Sequence, residues 1–341
     1  MLMPDWRGEQ WMVMVTLCVT HLCNGMCVSL QAPFYPAEAE KKGASATQYG
    51  LVFGIFELTV FIVSPIVGKL LPKVILRKLL VEFYSKLFQI GISRAFSGGI
   101  MTTGTMCVAF GFLNRIPDAN TFITFSFIIR IIEAFGNSAF LSSSFTMVAK
   151  MFPANVSTMF GVVEMAFGVG MIIGPTVGGA LYQIGGYTLP FGVLGGILII
   201  QSLVSSLSLP KLKDNDNEND LADDFGLLKA LQIPSVMLSV LSVFSGSVAV
   251  GALQATLERH LAVFHLNPMQ VGMMFMLYGA SYAILNPWWG WLSDRVSSTF
   301  VIFTGAVLLG LGMLLVGPVP GLGLSPNYYL TVAAIIIAGQ N

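Results

Sequence analysis

Four ionisable side chains stand inside long apolar runs of this chain: Glu57 in FGIFELTVFIV, Arg130 and Glu133 in RIIEAFGNSAF, and Glu164 in FGVVEMAFGVG. An ionised group so deep in an apolar segment costs about 2.5 to 3.5 kcal/mol on insertion scales, so each is expected to be protonated, paired or turned toward water. Arg130 and Glu133 are three residues apart on one helix face and can neutralise each other. Glu57 and Glu164 have no such neighbour, and a desolvated carboxyl can exchange a proton for a small cation. The bland alternative is that both acids only hydrogen-bond to adjacent helices. Asn24, in the first apolar run, is a further polar candidate for a ligand path, whereas His21 reads better as a hydrogen-bonded structural residue. The four cysteines fall in apolar segments, and Cys23 with Cys27 at i, i+4 is too little for a metal site.

The segments that must carry these groups are membrane spans. Of 341 residues, 55% are hydrophobic and 10% charged, against about a quarter charged in a soluble domain. The expected fold is an all-α polytopic membrane protein. Runs long enough to cross a bilayer lie at about 11–34, 48–71, 97–113, 121–150, 161–186 and 187–209. The first follows a segment without a basic n-region and reads as a retained span. Residues 74–90, ILRKLLVEFYSKLFQI at their centre, place polar side chains at helical spacing, which predicts an amphipathic helix lying on the membrane surface; the alternative is unspliced sequence read as protein. Lys+Arg and Asp+Glu both number 17, and this balance gives no sign of a nucleic-acid partner.

In the fifth run, Gly170, Gly174 and Gly178 recur every fourth residue, with Pro175 after the middle one and Gly179 after the last. On a helix they form one smooth face against which another backbone can pack closely, and the proline removes a helix hydrogen bond there. At residue 210 the chemistry changes to KLKDNDNENDLADDFG, a polar acidic linker. The chain therefore divides into a transmembrane half at 1–209, a cytoplasmic linker at 210–232 and a second, incomplete transmembrane half at 233–341. Spans are expected at about 233–257, 270–292 and 300–316, with the start of a tenth in NYYLTVAAIIIAGQN. Laying the second span over the eighth at a fixed offset matches Gln48 with Gln270, Gly50 with Gly272, Phe53 with Phe275, Pro65 with Pro287, Gly68 with Gly290 and Lys73 with Arg295. Such internal similarity is what parallel transporter halves produce. With the N-terminus inside, most basic residues, including Arg7, Lys73, Lys150 and Arg295, fall on the cytoplasmic side, while Lys41, Lys42, Arg115 and Arg259 fall on the other.

GxxxGPxxGG at Gly170 to Gly179 resembles the fifth-helix motif of proton-coupled antiporters of the major facilitator superfamily. QAPFYP, FELTVFIVSPIVGK, RIIEAFGNSAF, FGVGMIIGPTVGGALYQIGGYTLPF and NPWWGWLSDR together resemble the vesicular amine transporter family of that superfamily, nearest its polyamine-type branch. The resemblance implies exchange of a cationic amine for protons by alternating access, in an intracellular vesicle membrane or the plasma membrane. It implies a coupling role for Arg130, with Glu133 standing where glutamine is usual. Gly68 and Lys73, then Gly290, Asp294 and Arg295, match the two cytoplasmic gating loops, with Pro72 replacing the first aspartate. Gln254 stands near a seventh-helix site at which monoamine carriers have an acid, and the first span has no acid, so a monoamine substrate is disfavoured. Six helices per half would leave the second half unfinished, so the chain is expected to be incomplete or shortened.

Gly68-Lys69 is followed by leucine rather than serine or threonine, so there is no phosphate-binding loop for ATP to drive transport. No cofactor, metal or enzymatic chemistry is expected. The expected partners are a small organic cation, protons and the lipid bilayer, and the expected state is monomeric. The competing readings are a facilitative uniporter and a shortened, non-transporting chain that regulates a full-length relative. The orientation makes a prediction: the sequon Asn155-Val156-Ser157 faces the cytosol and stays bare. Glycosidase treatment of the expressed protein is expected to leave its mass unchanged, and a glycan on Asn155 would reverse the topology.

Overall fold

A computed structural model describes residues 8–31, 34–70, 91–209, 232–261, 264, 268–316 and 327–339. All regular elements among them are helical: α1 (Gly8–Ser29), α2 (Tyr35–Lys41), α3 (Ala46–Leu70), α4 (Gly91–Gly111) with a 3-10 turn at Phe112–Arg115, α5 (Ala119–Met151), α6 (Val156–Gly185), α7 (Thr188–Ser208), α8 (Pro234–Leu261), α9 (Pro268–Ser293), α10 (Ser298–Val316) and α11 (Tyr328–Ala338). Seven of the described helices are long and apolar enough to cross a membrane. Gln254, Lys73, the 74–90 segment and the acidic linker lie outside the residues whose side chains are described, as does Gly68 at the end of α3.

Several boundaries differ from expectation; α6 starts at Val156 rather than 161, and α8 ends at Leu261 rather than 257. The first span ends at Ser29 rather than 34, and the short helix α2 follows, opened by Pro36 in its first turn, where a missing N–H costs nothing. The third span starts at Gly91, because exposed Arg94 in the first turn can carry its charge outward on its long stem. Lys42 then ties this end together. Its Nζ donates to the carbonyls of Asn114 (2.9 Å) and Ile116 (2.7 Å) and sits 5.3 Å from the Phe122 ring.

The helices form two compact units. One contains residues 1–153 and 173–227, the other 154–172 and 228–341, so α6 contributes its first part to the second unit and its remainder to the first. In the first unit α4 packs between α5 and α7, α3 lies on α5, and α1 lies on α7. In lipid no hydrophobic force draws helices together, so close backbone approach through small residues must supply the attraction. Two reciprocal glycine contacts do this for α4. A Cβ on Gly99 would meet the Gly136 carbonyl at 2.6 Å, and one on Gly136 would meet the Gly99 carbonyl at 2.8 Å; Gly104 and Gly195 meet in the same way at 2.9 and 2.8 Å. In the second unit Leu257, Leu261, Met274, Val316, Ala334 and Ile335 form a core where α8, α9, α10 and α11 meet.

Adjacent positions on α4 give opposite predictions. A Cβ on Gly98 meets nothing within 4 Å, while one on Gly99 strikes two backbone atoms at 2.6 Å. Gly98→Ala is expected to hold or raise the thermal stability of the detergent-solubilised protein, and Gly99→Ala to lower it by about 1–3 kcal/mol.

Candidate functional site

In the first unit the apolar run of α5 carries its polar groups on one face. Arg130 Nη1 donates to Glu133 Oε2 at 2.8 Å, and both residues are buried. The guanidinium lies 4.8 Å from the Phe56 ring of α3 and 5.5 Å from the Phe110 ring of α4, so aromatic faces shield its apolar side. Glu57 follows Phe56 on α3. Its side chain is exposed and lies within electrostatic reach of Arg130. One cation is thus placed near two carboxylates and bonded to only one of them.

Farther along the same face, α5 meets α1 through side chains. Asn24 Nδ2 donates to Asn137 Oδ1 at 3.0 Å. His21 Nδ1 lies 2.9 Å from the Leu17 carbonyl, which can only accept, so that nitrogen carries the proton. Its Nε2 lies 3.4 Å from the Ser144 hydroxyl, and the ring packs on Phe140 at 4.6 Å. Asn137 and Ser144 escape a sequence reading because nothing in a serine-rich helix marks which hydroxyl or amide crosses to a neighbour. Cys27 on α1 and Cys107 on α4 also meet, thiol to thiol.

The second unit holds Glu164 on α6. Its Oε2 accepts from the Tyr282 hydroxyl of α9 at 3.4 Å. Glycines bring these two helices into antiparallel contact. A Cβ on Gly161 would meet the Asn286 carbonyl at 2.5 Å, one on Gly279 would meet Ile172 at 3.1 Å, and one on Gly290 would strike the Ser157 carbonyl. The end of α9 then caps α6. Asp294 Oδ1 accepts from Ser157 N at 3.0 Å, and Oδ2 accepts from Thr158 N at 2.8 Å and Thr158 Oγ1 at 2.6 Å. These are among the amides that a helix start leaves without an internal partner. Arg295 instead stacks on Trp291, 4.3 Å from its ring centroid.

The predicted glycine face is divided between tasks. A Cβ on Gly174 would strike Ser29 Oγ and meet the Met26 carbonyl at 2.7 Å, and one on Gly178 would meet Leu30 Cδ1 at 2.5 Å, so both seat α6 against α1 and the chain leaving it. Gly170 is buried. Gly179 meets nothing within 4 Å, and Pro175 lies inside the continuous helix. The structure therefore gathers Glu57, Arg130 and Glu133 into one cluster and places Glu164 with Tyr282 in the other unit.

Apolar helices of this length, packed through glycine and holding charged groups well inside them, define a multi-pass membrane protein. The model of the Major Facilitator Superfamily matches residues 17–340, and the chain belongs to that superfamily. It is 34% identical to the MFS-type transporter SLC18B1 of Homo sapiens, over 98% of this chain and 70% of the relative, and 32% identical to SLC18B1 of Rattus norvegicus, over 97% and 69%. Similarity to the chromaffin granule amine transporter of Rattus norvegicus is lower, 22% over 58% of this chain and 40% of that protein. These relatives are membrane transporters rather than enzymes.

The Asp294 cap gives a pH prediction. Partial burial alone would raise its proton affinity, but the bonds from Thr158 and Ser157 outweigh this and hold the carboxyl below the usual carboxylate range. A group with a lowered folded value stabilises the fold above its unfolded value and loses that contribution as pH falls through the folded one. Asp294→Asn is expected to cost about 0.5–2 kcal/mol near neutral pH, in line with other lost helix caps. In thermal melts the gap to the parent should narrow as the buffer is taken into the acid range below the carboxylate values.

Proposed function

We propose that this chain is a proton-coupled antiporter of an organic cation, a polyamine or another amine, working by alternating access in an intracellular vesicle membrane. The observation that carries this reading is a charge imbalance. Well inside the described spans stand three carboxylates, Glu57, Glu133 and Glu164, and one cation, Arg130. Arg130 is bonded to Glu133, which leaves Glu57 and Glu164 to bind either a proton or a cationic ligand. An anion would meet net repulsion from this set. A proton and an ammonium compete for the same carboxylate, which is the physical requirement for exchanging one against the other.

Arg130 holds Glu133 as a partner, so Glu57 and Glu164 are the coupling acids in this reading. The name of a more distant relative, the chromaffin granule amine transporter, supports an amine as the cation. The only acid of the first span is Glu9 in its first turn, and by the family resemblance the lack of one farther in favours a polyamine over a monoamine. Asp294 and Gly290 act as a cytoplasmic latch that holds the start of α6 when the loop after α9 is docked, and Gly174 with Gly178 seals α6 to α1 against leak.

Reconstituted vesicles with an acid interior, offered a labelled polyamine outside, test the assignment. Glu57→Gln and Glu164→Gln are each expected to reduce pH-driven accumulation to the level of empty vesicles while leaving insertion and folding intact. If both variants accumulate amine as the parent does, neither acid couples.

A further inference from the structure

Among the described residues the first unit has four buried polar side-chain atoms without a hydrogen-bond partner, Ser143 Oγ and three that concern one place: the Tyr35 hydroxyl, the Tyr187 hydroxyl and Arg130 Nε. The residues of these three are 0%, 3% and 3% exposed. Folded proteins leave few such groups unsatisfied, and three close together are a strong sign of a bound ligand. They are close together. Tyr35 lies within electrostatic reach of Arg130, and Tyr187 within reach of both. A chain of rings joins them: Tyr35 to Phe110 at 5.1 Å, Phe110 to Phe191 at 5.3 Å and Phe191 to Tyr187 at 5.0 Å, with Arg130 at 5.5 Å from Phe110.

The side chains nearest to them do not satisfy them. Ser126 lies beside Tyr35, but its hydroxyl donates to the Phe122 carbonyl at 2.8 Å and no bond of good geometry joins the two side chains. Glu133 takes Nη1 of Arg130, and the Cys107 thiol is directed at the Phe191 carbonyl at 3.8 Å. The missing ligand must accept from Nε–H and must both accept from and donate to phenols. A second anion is disfavoured, because Glu133 and Glu57 already face Arg130 and Glu38 faces Tyr187. A cation has no lone pair with which to accept from Arg130 Nε–H. Water satisfies all three groups, and a polar internal site with two to four partners is where proteins hold it.

The position adds a role. Tyr35 opens α2 and Tyr187 precedes α7, both at the end of the unit opposite the start of α1, whereas Arg130 lies roughly 16 Å along α5 from Ala119. We propose that Tyr35, Tyr187 and Arg130 hold bound water, and that this hydrated site carries protons from the α2 end of the unit to the acids around Arg130. A hydroxyl that accepts a proton from water on one side releases its own to water on the other, so a proton moves through while each group is restored. The transport role rests on the proton-coupled reading above; the presence of water does not.

Hydroxyl-radical footprinting of the purified full chain by X-ray pulses tests the water directly, since radicals form where water is bound even in a buried site. Tyr35 and Tyr187 are expected to be modified faster, after correction for intrinsic reactivity, than Phe96, which is equally buried. Labelling as slow as that of Phe96 would overturn the hydrated site. The Tyr35→Phe, Tyr187→Phe double variant keeps both rings and tests the transport role. Proton-driven uptake should fall several-fold, while exchange of labelled for unlabelled amine at equal pH, which needs no net proton transfer, should stay at the parent level. Equal loss in both assays, or no loss in either, would overturn the proton-carrying role. A parent chain without any pH-driven uptake would instead refute the antiport reading, and the labelling result would still decide the water.

Discussion

The Arg130–Glu133 pair is the interaction on which the interior of the first unit depends. A guanidinium cannot be deprotonated, so a helix that carries one through lipid must supply its counter-charge at once. α5 does so from its own next turn, at 2.8 Å. The pair fixes which face of α5 turns inward. Arg130, Glu133, Asn137 and Ser144 recur at helical spacing on that face, and they meet Phe56 of α3, Phe110 of α4, and Asn24 and His21 of α1. The remaining carboxylate, Glu57, gains its character from the same pair. Because the arginine is already bonded, Glu57 feels its field without being neutralised by it.

Backbone proximity is the second constraint, and it is met by glycine at particular contacts. α4 approaches α5 at Gly99 and Gly136, and α7 at Gly104 and Gly195, where any Cβ would strike a carbonyl. α6 uses two sets for two partners. Gly161 and Gly168 face α9, while Gly174 and Gly178 face α1 and the residues just after it. The division of the chain into compact units falls between Ile172 and Ile173, within one turn of Pro175, so the change of partner coincides with the residue that interrupts the helix ladder.

Much of this was legible in the sequence, for physical reasons. Long apolar runs are bounded by the bilayer, so α3, α5, α7 and α10 begin and end within two residues of the expected limits. The intramembrane acids were visible because nothing else in an apolar run resembles them, and the i, i+3 spacing of Arg130 and Glu133 was enough to foresee their bond. Partners across helices were not legible. Tyr282 against Glu164, Asn137 against Asn24, and Ser157 and Thr158 against Asp294 are separated by more than a hundred residues, and no periodicity encodes which face meets which. The early end of the first span escaped the sequence for a different reason. Pro36 stands in the first turn of a helix, where it opens the helix rather than ending it.

The internal similarity sets one helix pattern to unequal uses. Pro65 and Pro287 both lie inside their helices, α3 and α9, which supports the offset that relates the two copies. At that same offset Glu57 falls on Gly279. In α3 the position bears a carboxylate beside Arg130; in α9 it is the glycine that lets Ile172 of α6 approach to 3.1 Å from where a Cβ would stand. The relation reverses at the sequence positions 72 and 294, matched by the same offset. There the second copy keeps Asp294, which holds the start of α6 with three bonds, while the first has Pro72, which has no side-chain acceptor to offer. The acid that the second copy lacks at Gly279 is provided from α6 itself by Glu164, whose contact to Tyr282 depends on the close approach that Gly161 and Gly279 allow. Packing and chemistry thus trade places between the copies, and the glycine of one repeat is a condition for the acid that serves it.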